Sequence, residues 1–321
     1  MKLLHPLVYV KKLIMENPIG SLVCLVLALW LLGVRVYNEY QVDPGDIRLS
    51  STIETLAQLK VADTAADLQR AYHYAILSAE VYGDPDASGR LLRDWELKDC
   101  DHAAVYAEWQ QFTFSDPLPD KPTPNAGPQM ILDEELKYGL WFRDTGPNSV
   151  EVVLAFAGTE STGDIWSNLH WLTRYWPGGW GQYDLARALG PIIQERIKAR
   201  FAHKTNIEII ATGHSLGGGL AHQAAYASSD INRVFAFDSS SVTGFYSVDK
   251  DIRNESKLDM SIYRVHERGE ILAYLRSLMS VLYPVTEKQP QIIEATVNFD
   301  QGQAIGQHSI EKLSCALMNS R

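Results

Sequence analysis

The spacing of apolar residues changes along the chain and predicts its secondary structure. Near the N-terminus, sixteen residues from Ile19 to Val34 carry no charge. From Leu68 to Tyr82, apolar residues recur every three or four positions, as on the buried face of an amphipathic helix. A similar face from Leu185 to Ile197 predicts a second helix, with a kink or restart at Gly190-Pro191.

Later segments alternate between β-rich and helical patterns. Leu136 to Phe142 and Val150 to Ala157 flank a turn sequence and predict two neighbouring strands. The elements predicted after them are strands at 206–211, 232–237, 261–266 and 291–299, and helices at 217–228, 271–282 and 309–318. This order predicts an α/β fold, in which a mainly parallel sheet with antiparallel strands at its beginning is covered by helices on both faces.

The N-terminal third gives weaker patterns. Ile53 to Leu59 predicts a short helix, and five prolines between Pro117 and Pro128 predict an extended surface loop. Residues 41–52 turn polar and contain Pro-Gly, which predicts a linker. We therefore divide the chain into a membrane segment with its flanks (1–40), a linker (41–52) and one α/β domain (53–321).

The uncharged run from Ile19 to Val34 predicts an uncleaved membrane anchor. Because the run is short for a membrane span, a cleaved signal peptide and a buried core helix are the alternatives. No pair of small residues typical of a cleavage site follows it. Three lysines precede the run and Arg35 alone follows closely, which predicts a cytoplasmic N-terminus and a folded domain in the periplasm or outside the cell.

Charge and cysteine content narrow the choice of partner and compartment. The 321-residue chain has a net charge of −10 and its first 40 residues carry +2, so the rest carries −12, which argues against nucleic acid. Cys24 lies in the apolar run, whereas Cys100 and Cys315 either pair in an oxidising compartment or remain buried thiols. The sequence contains no H-E-x-x-H or paired C-x-x-C motif, so we expect neither metal nor cofactor. It leaves the oligomeric state open.

The strand predicted at 206–211 leads into Gly213-His214-Ser215-Leu216-Gly217, a G-x-S-x-G sequence at a strand-to-helix turn. Only small flanking residues allow the strained backbone that a serine adopts on such a turn. Free N–H groups of the following helix favour the oxyanion that develops during acyl transfer. The pattern predicts Ser215 as a nucleophile, and a simple Gly/Ser turn is the alternative.

These residues resemble the class 3 lipases, serine hydrolases of the α/β-hydrolase fold that carry G-H-S-L-G-G at the nucleophile. A second match is similar to the family's oxyanion strand: Val153-Leu154-Ala155-Phe156-Ala157-Gly158-Thr159, followed by Asp164-Ile165-Trp166-Ser167-Asn168-Leu169. Ala157 stands where the family usually has Arg. The resemblance covers residues 130–312 and the helix that ends near Tyr82. It implies an α/β-hydrolase fold and oxyanion donors at the backbone N–H groups of Leu216 and Thr159.

A serine nucleophile needs a histidine base, and the histidine needs a carboxylate to orient it. In this fold the chain order is Ser, acid, His, and only three histidines follow Ser215. His222 lies seven residues on along the same helix, and His266 ends a strand before a suitable acid has been passed. We therefore expect His308 to be the base; the alternative is a surface histidine that caps the 309–318 helix.

The acid has three candidates. Glu270-Ile271-Leu272 aligns with the family's Asp-Ile-Val, so the resemblance implies that Glu270 is the orienting carboxylate, with a side chain one methylene longer than Asp. Asp238 ends the preceding strand, where some hydrolases place their acid, and Glu267 follows the 261–266 strand. Asp238 and Glu267 remain the alternatives.

Four of the chain's eight tryptophans lie within fifteen residues: Trp166, Trp171, Trp176 and Trp180. The segment also contains Pro177-Gly178-Gly179, and tryptophan is favoured at membrane interfaces. In the class 3 lipases a helical lid lies at this place. We predict that residues 164–181 form a lid, with Trp171, Trp176 and Trp180 in contact with lipid; core packing is the alternative.

Together these patterns predict a membrane-anchored serine hydrolase that forms an acyl-enzyme on Ser215. A lipid or phospholipid ester is the expected substrate, because the anchor would hold the site at a bilayer. The resemblance includes triacylglycerol lipases and phospholipases A1, and the sequence does not separate them. The alternatives are an inactive membrane-anchored scaffold of the same fold, a thioesterase and a lipid acyltransferase.

Overall fold

An eight-stranded sheet forms the centre of the part of the chain that the structure describes. The computed structural model describes residues 47–51, 61–85, 91–95, 97, 100–114, 136–158, 182–239, 244–256, 260–273, 276, 290–300 and 304–320, together with Val26, Leu29, Trp30 and Gly33. Its strands are β1 Ile47–Ser51, β2 Asp84–Pro85, β3 Leu91–Leu92, β4 Gln110–Phe112, β5 Tyr138–Gly146, β6 Ser149–Phe156, β7 Asn206–His214, β8 Ile231–Phe237, β9 Ser261–Glu267 and β10 Gln291–Val297. Its helices are α1 Val61–Glu80, α2 His102–Tyr106, α3 Gln182–Arg200, α4 Leu216–Tyr226, α5 Lys250–Ser256, α6 Ala304–Gln307 and α7 Ile310–Asn319, and a 3₁₀ turn covers Phe245–Ser247.

The strand order in the large sheet is β1-β10-β9-β8-β7-β6-β5-β4. The strands from β6 to β10 pair in parallel, whereas β4, β5 and β1 join the two edges in antiparallel register. The prediction of a mainly parallel sheet with antiparallel strands at its beginning is therefore confirmed. Because parallel strands end at one edge, this order brings the carboxyl ends of β6, β7, β8 and β9 together.

Helices cover both faces of the sheet, as predicted. Successive residues of a strand point to opposite faces, so Ile210 and Phe235 pack towards α1 and α7 while Ile209 and Val234 pack towards α3 and α4. The two resulting cores explain why the central strands are mostly apolar on both faces. Gly190 of α3 allows close packing on α4, since a Cβ there would lie 2.9 Å from the carbonyl oxygen of Ala224.

Some elements differ from the sequence prediction. Residues 47–51, which we assigned to a linker, form the edge strand β1 along β10. The helix α3 continues through Pro191 instead of restarting there. The predicted helices at 53–59 and 271–282 lie wholly or largely outside the described residues, as does the proline-rich loop.

The proposed anchor also lies almost entirely outside the described residues. Val26, Leu29, Trp30 and Gly33 are helical, and the side chains of the first three are more than half exposed. None of the helices within the described ranges is long and apolar enough to cross a membrane.

A disulfide joins Cys100 to Cys315, 215 residues later in the chain. Of the two states that the sequence left open, the structure therefore has the paired one. The bond connects the segment before α2 to the last helix, α7. It thereby anchors the helix that begins two residues after His308.

Candidate active site

Ser215 occupies a tight turn between β7 and α4. Its backbone has φ 57° and ψ −123°, a left-handed conformation that costs a non-glycine residue on the order of 1 kcal/mol. The Ser215 N–H donates to the carbonyl oxygen of Phe237 (3.0 Å), which fastens the turn to the end of β8. A Cβ at Gly213 would lie 2.3 Å from the backbone of Gly217, so the first glycine of the motif allows the turn to close.

The side chain of His308 lies beside Ser215 and is 4% exposed. Its Nε2 is 3.0 Å from Ser215 Oγ, and its Nδ1 is 2.6 Å from Glu270 Oε2. With Nδ1–H donating to the carboxylate, Nε2 is left to accept the serine hydroxyl proton. His308 sits between α6 and α7, and Ser309 caps α7 by accepting a hydrogen bond from the N–H of Lys312.

Glu270 is fully buried in the turn after β9. Its Oε2 also accepts the N–H of Leu272 (2.8 Å), and Oε1 forms an ion pair with Arg276. Burial alone would raise the pKa of Glu270, but the Arg276 guanidinium and the His308 hydrogen bond outweigh burial and lower the pKa to about 2. Glu270 is therefore a carboxylate at neutral pH, as an orienting acid must be.

The strand β6 ends against the nucleophile turn, where Phe156 pairs with Gly213. A Cβ at Gly158 would lie 2.8 Å from the carbonyl oxygen of His214, so the chain passes very close to the turn just before Thr159. Thr159 itself lies outside the described residues. Leu216 is the first residue of α4, and the first N–H groups of a helix have no partner within it, which suits an oxyanion donor.

Tyr82 connects the two strand ends. Its hydroxyl accepts a hydrogen bond from the N–H of Gly158 (2.8 Å) and lies 3.3 Å from both the carbonyl oxygen and Nδ1 of His214. The hydroxyl thus joins the residue before Thr159 to the residue before Ser215. This contact holds the end of β6 at a fixed distance from the nucleophile.

The other predicted candidates occupy different positions. Asp238, at the end of β8, is buried close to His308. Glu267 instead accepts the N–H of Phe299 at 2.9 Å. The eliminated histidines do not contact the serine: His222 Nδ1 donates to the Gly218 carbonyl oxygen (2.6 Å), and His266 Nε2 is 2.9 Å from Thr296 Oγ1. Trp171, Trp176 and Trp180 lie outside the described residues.

One group of described residues has the spacing of metal ligands. A ring nitrogen of His214, a ring nitrogen of His308 and a carboxylate oxygen of Asp238 lie within 4.8 Å of one another. Both ring nitrogens of His308 already have partners in Ser215 and Glu270. A metal ion here would have to displace one of those two contacts.

Two residues of the site were not predicted from the sequence. Arg276 was missed because nothing in a linear sequence pairs an arginine with a carboxylate six residues earlier. Tyr82 was recognised only as the end of a helix. The signal for Tyr82 lies in the fold: α1 packs on one face of the sheet, and Tyr82, two residues after the helix ends, reaches Gly158 and His214 at the carboxyl ends of the strands.

Comparison with known proteins gives a family for most of the chain. The family model described as "Phospholipase-like: Tle-like phospholipase domain" matches residues 73–307, a range that includes Ser215 and Glu270 and ends one residue before His308. No curated protein matches the chain. Among solved structures, lipase II from Rhizopus niveus is 15% identical, with a TM-score of 0.38, and the match covers 71% of this chain and 77% of that one. The Rhizomucor miehei lipase in its propeptide complex is 13% identical, with a TM-score of 0.39 and coverage of 71% and 65%.

Proposed function

Because the chain belongs to the Tle-like phospholipase domain family, we propose that it is a serine hydrolase that cleaves fatty-acyl esters of phospholipids or related lipids. The observation that carries the proposal is the continuous hydrogen-bonded chain from Ser215 through His308 to Glu270. These three groups have the residue types and the order of contacts of a nucleophile, a base and an orienting acid.

In the first half of the reaction, Ser215 Oγ attacks the ester carbonyl carbon while His308 Nε2 takes the hydroxyl proton. The Glu270 carboxylate stabilises the imidazolium that forms. The tetrahedral oxyanion accepts hydrogen bonds from the N–H groups of Leu216 and Thr159, and loss of one such donor typically costs about 3 kcal/mol at the transition state. Collapse of the intermediate breaks the bond to the alcohol, which leaves with the proton from His308.

In the second half, His308 removes a proton from water, and the resulting hydroxide attacks the acyl-enzyme. The second tetrahedral intermediate releases the fatty acid and returns the proton to Ser215. Transfer of the acyl group to another alcohol would make the protein an acyltransferase, and a thioester substrate would make it a thioesterase. Either would use the same three residues.

The compartment and the lid are further parts of the proposal. The Cys100–Cys315 disulfide supports an oxidising compartment outside the cytoplasm, because disulfides rarely persist in the cytosol. The uncharged run from Ile19 to Val34 supports an anchor that holds the domain, which begins no later than Ile47, at a bilayer. The tryptophan-rich segment at 164–181 would then act as a lid that opens on lipid.

The experiment is hydrolysis by the purified full-length protein of phospholipid vesicles, triacylglycerol emulsions and acyl thioesters, with mass spectrometry of the products. Release of free fatty acid from phospholipid, abolished in Ser215→Ala and in His308→Ala, is the expected result, because the two residues act as one unit. Both variants should keep the circular dichroism spectrum of the wild type. Turnover that survives in either folded variant would refute the assignment, and no turnover of any ester by folded wild type would favour the scaffold.

A further inference from the structure

Asp238 combines two unfavourable features in one buried residue. Its backbone has φ 40°, and it is one of only two non-glycine residues with positive φ in the described part of the chain; the other is Ser215. Its carboxyl group is fully buried, Oδ1 accepts the N–H of Glu267 (2.8 Å), and Oδ2 has no hydrogen-bond partner among the described residues. Strain and an unpaired buried polar atom both cost stability, so their coincidence calls for a functional explanation.

The unpaired carboxyl lies next to the histidine of the candidate site. One Asp238 oxygen is within 4.8 Å of a ring nitrogen of His308 and of a ring nitrogen of His214. The Asp238 N–H donates to the carbonyl oxygen of Val265 (2.9 Å), which fixes the residue to β9. Two carboxyl groups therefore approach one imidazole, Asp238 from the end of β8 and Glu270 from the turn after β9.

The surroundings of the two acids favour a charge on Glu270 over a charge on Asp238. Burial, followed by the Glu270 carboxylate, raises the pKa of Asp238 well above its usual range, because two like charges in an apolar interior repel each other. Glu270 keeps the charge because Arg276, the Leu272 N–H and His308 all favour its ionised form. The ionisable groups that surround Asp238 are Glu267, Glu270, Arg276, His214 and His308.

We propose that Asp238 is a second orienting acid for His308, and that Asp238 takes over the imidazole when Glu270 loses its charge. This inference rests on the proposed function, since it assigns a second positioning residue to the same histidine. Arg276 makes the exchange feasible, because it contacts Glu270 and also donates to the carbonyl oxygen of Ser239, the residue after Asp238. Loss of the Glu270 charge would leave this guanidinium available to an Asp238 carboxylate.

The test compares kcat for a soluble short-chain ester in full-length Glu270→Gln, Asp238→Asn and the double variant. Glu270→Gln should lose about 100-fold, well short of the ~10⁴-fold loss that follows removal of the orienting carboxylate in a triad without a substitute. The double variant should show the full loss of about 10⁴-fold, because no carboxylate is then left to orient His308, and Asp238→Asn alone should lose no more than about fivefold. The matched control is Glu270→Gln with Glu267→Gln, which removes a neighbouring carboxyl that contacts Phe299 and should be no slower than Glu270→Gln alone.

A second measurement does not depend on turnover. The His308 Nδ1 proton in a hydrogen bond to a carboxylate gives a low-field ¹H NMR resonance, which His308→Ala identifies by its loss. We expect the resonance to persist, shifted, in Glu270→Gln and in Glu270→Ala, and to vanish in the double variant. The proposal is overturned if Glu270→Gln is already as slow as the double variant and lacks the resonance. If no variant hydrolyses an ester, the NMR result still decides the role of Asp238 separately from the proposed function.

Discussion

Two buried histidines outside the candidate site should make the fold sensitive to acid. Burial, followed by the charge of Arg264, lowers the pKa of His222 to about 3, and burial, followed by Arg276, lowers the pKa of His266 to about 3. The unfolded chain has a histidine pKa of about 6.5. Between pH 6.5 and pH 3 the unfolded state therefore binds protons that the folded state does not, so stability is lost as pH falls through this window.

The size of the loss follows from linkage. Between pH 7 and pH 5, protonation of the unfolded state at each histidine lowers the free energy of unfolding by about 2 kcal/mol. This loss depends mainly on the pKa of histidine in the unfolded chain, because pH 5 lies above the pKa of both histidines in the folded state. Glu267 acts in the opposite direction: burial raises its pKa to about 7, so acidification over the same range stabilises the fold. The comparison must therefore be made between variants.

The assay is urea unfolding followed by circular dichroism at pH 7 and pH 5 for wild type, His222→Gln and His203→Gln. His222 is fully buried in α4, whereas His203 is exposed on the turn after α3. His222→Gln should be less stable at both pH values, but its loss between pH 7 and pH 5 should be smaller than that of wild type by about 2 kcal/mol. His203→Gln should keep the wild-type difference. An unchanged pH difference in His222→Gln would refute the reasoning.

Three further predictions concern the site and its supports. Tyr82→Phe should lower kcat about tenfold at unchanged KM, because the hydroxyl holds Gly158, the residue before the proposed oxyanion donor, beside the serine turn; an unchanged kcat would show that Tyr82 has no such role. Cys315→Ser should lower the free energy of unfolding by up to about 5 kcal/mol in a denaturant titration, since the disulfide closes a loop of more than 200 residues. An unchanged free energy of unfolding after chemical reduction of the disulfide would contradict this prediction. Trp171→Ala with Trp176→Ala should weaken activation by liposomes more than the rate on monomeric ester, and equal activity on both substrates would leave these tryptophans as core residues.

Much of the fold could be predicted from the sequence, because the buried central strands contain runs of apolar residues. Val152 to Ala157 and Ile209 to Ala211 are continuous apolar runs, as expected of strands covered by helices on both faces. The edge strand β1 was missed for the opposite reason. Its sequence, Ile-Arg-Leu-Ser-Ser, holds two apolar residues, and its position depends on pairing with β10, far away in the chain.

Some residues of the candidate site could likewise be predicted from the sequence, and others could not. Ser215 lies in a local motif whose glycines allow a tight turn, so it could be predicted from neighbouring residues. His308 could be predicted because the histidine follows the serine and the acid along the chain in this fold. The acid could not be chosen from the residues alone, since Asp238, Glu267 and Glu270 all lie at the ends of two adjacent strands. The choice depends on the ion pair between the fully buried Glu270 and Arg276 and on the 2.6 Å contact between Glu270 and His308, which only the folded chain brings about.

Covalent trapping of Ser215 tests the central claim most directly. The full-length protein is incubated with a fluorophosphonate, and the adduct is located by intact-mass measurement and peptide mapping. The account predicts one adduct per chain on Ser215, no adduct in Ser215→Ala and much slower labelling in His308→Ala, because the base is needed to take the serine proton. A folded protein that remains unlabelled, or an adduct on a different residue, would contradict it.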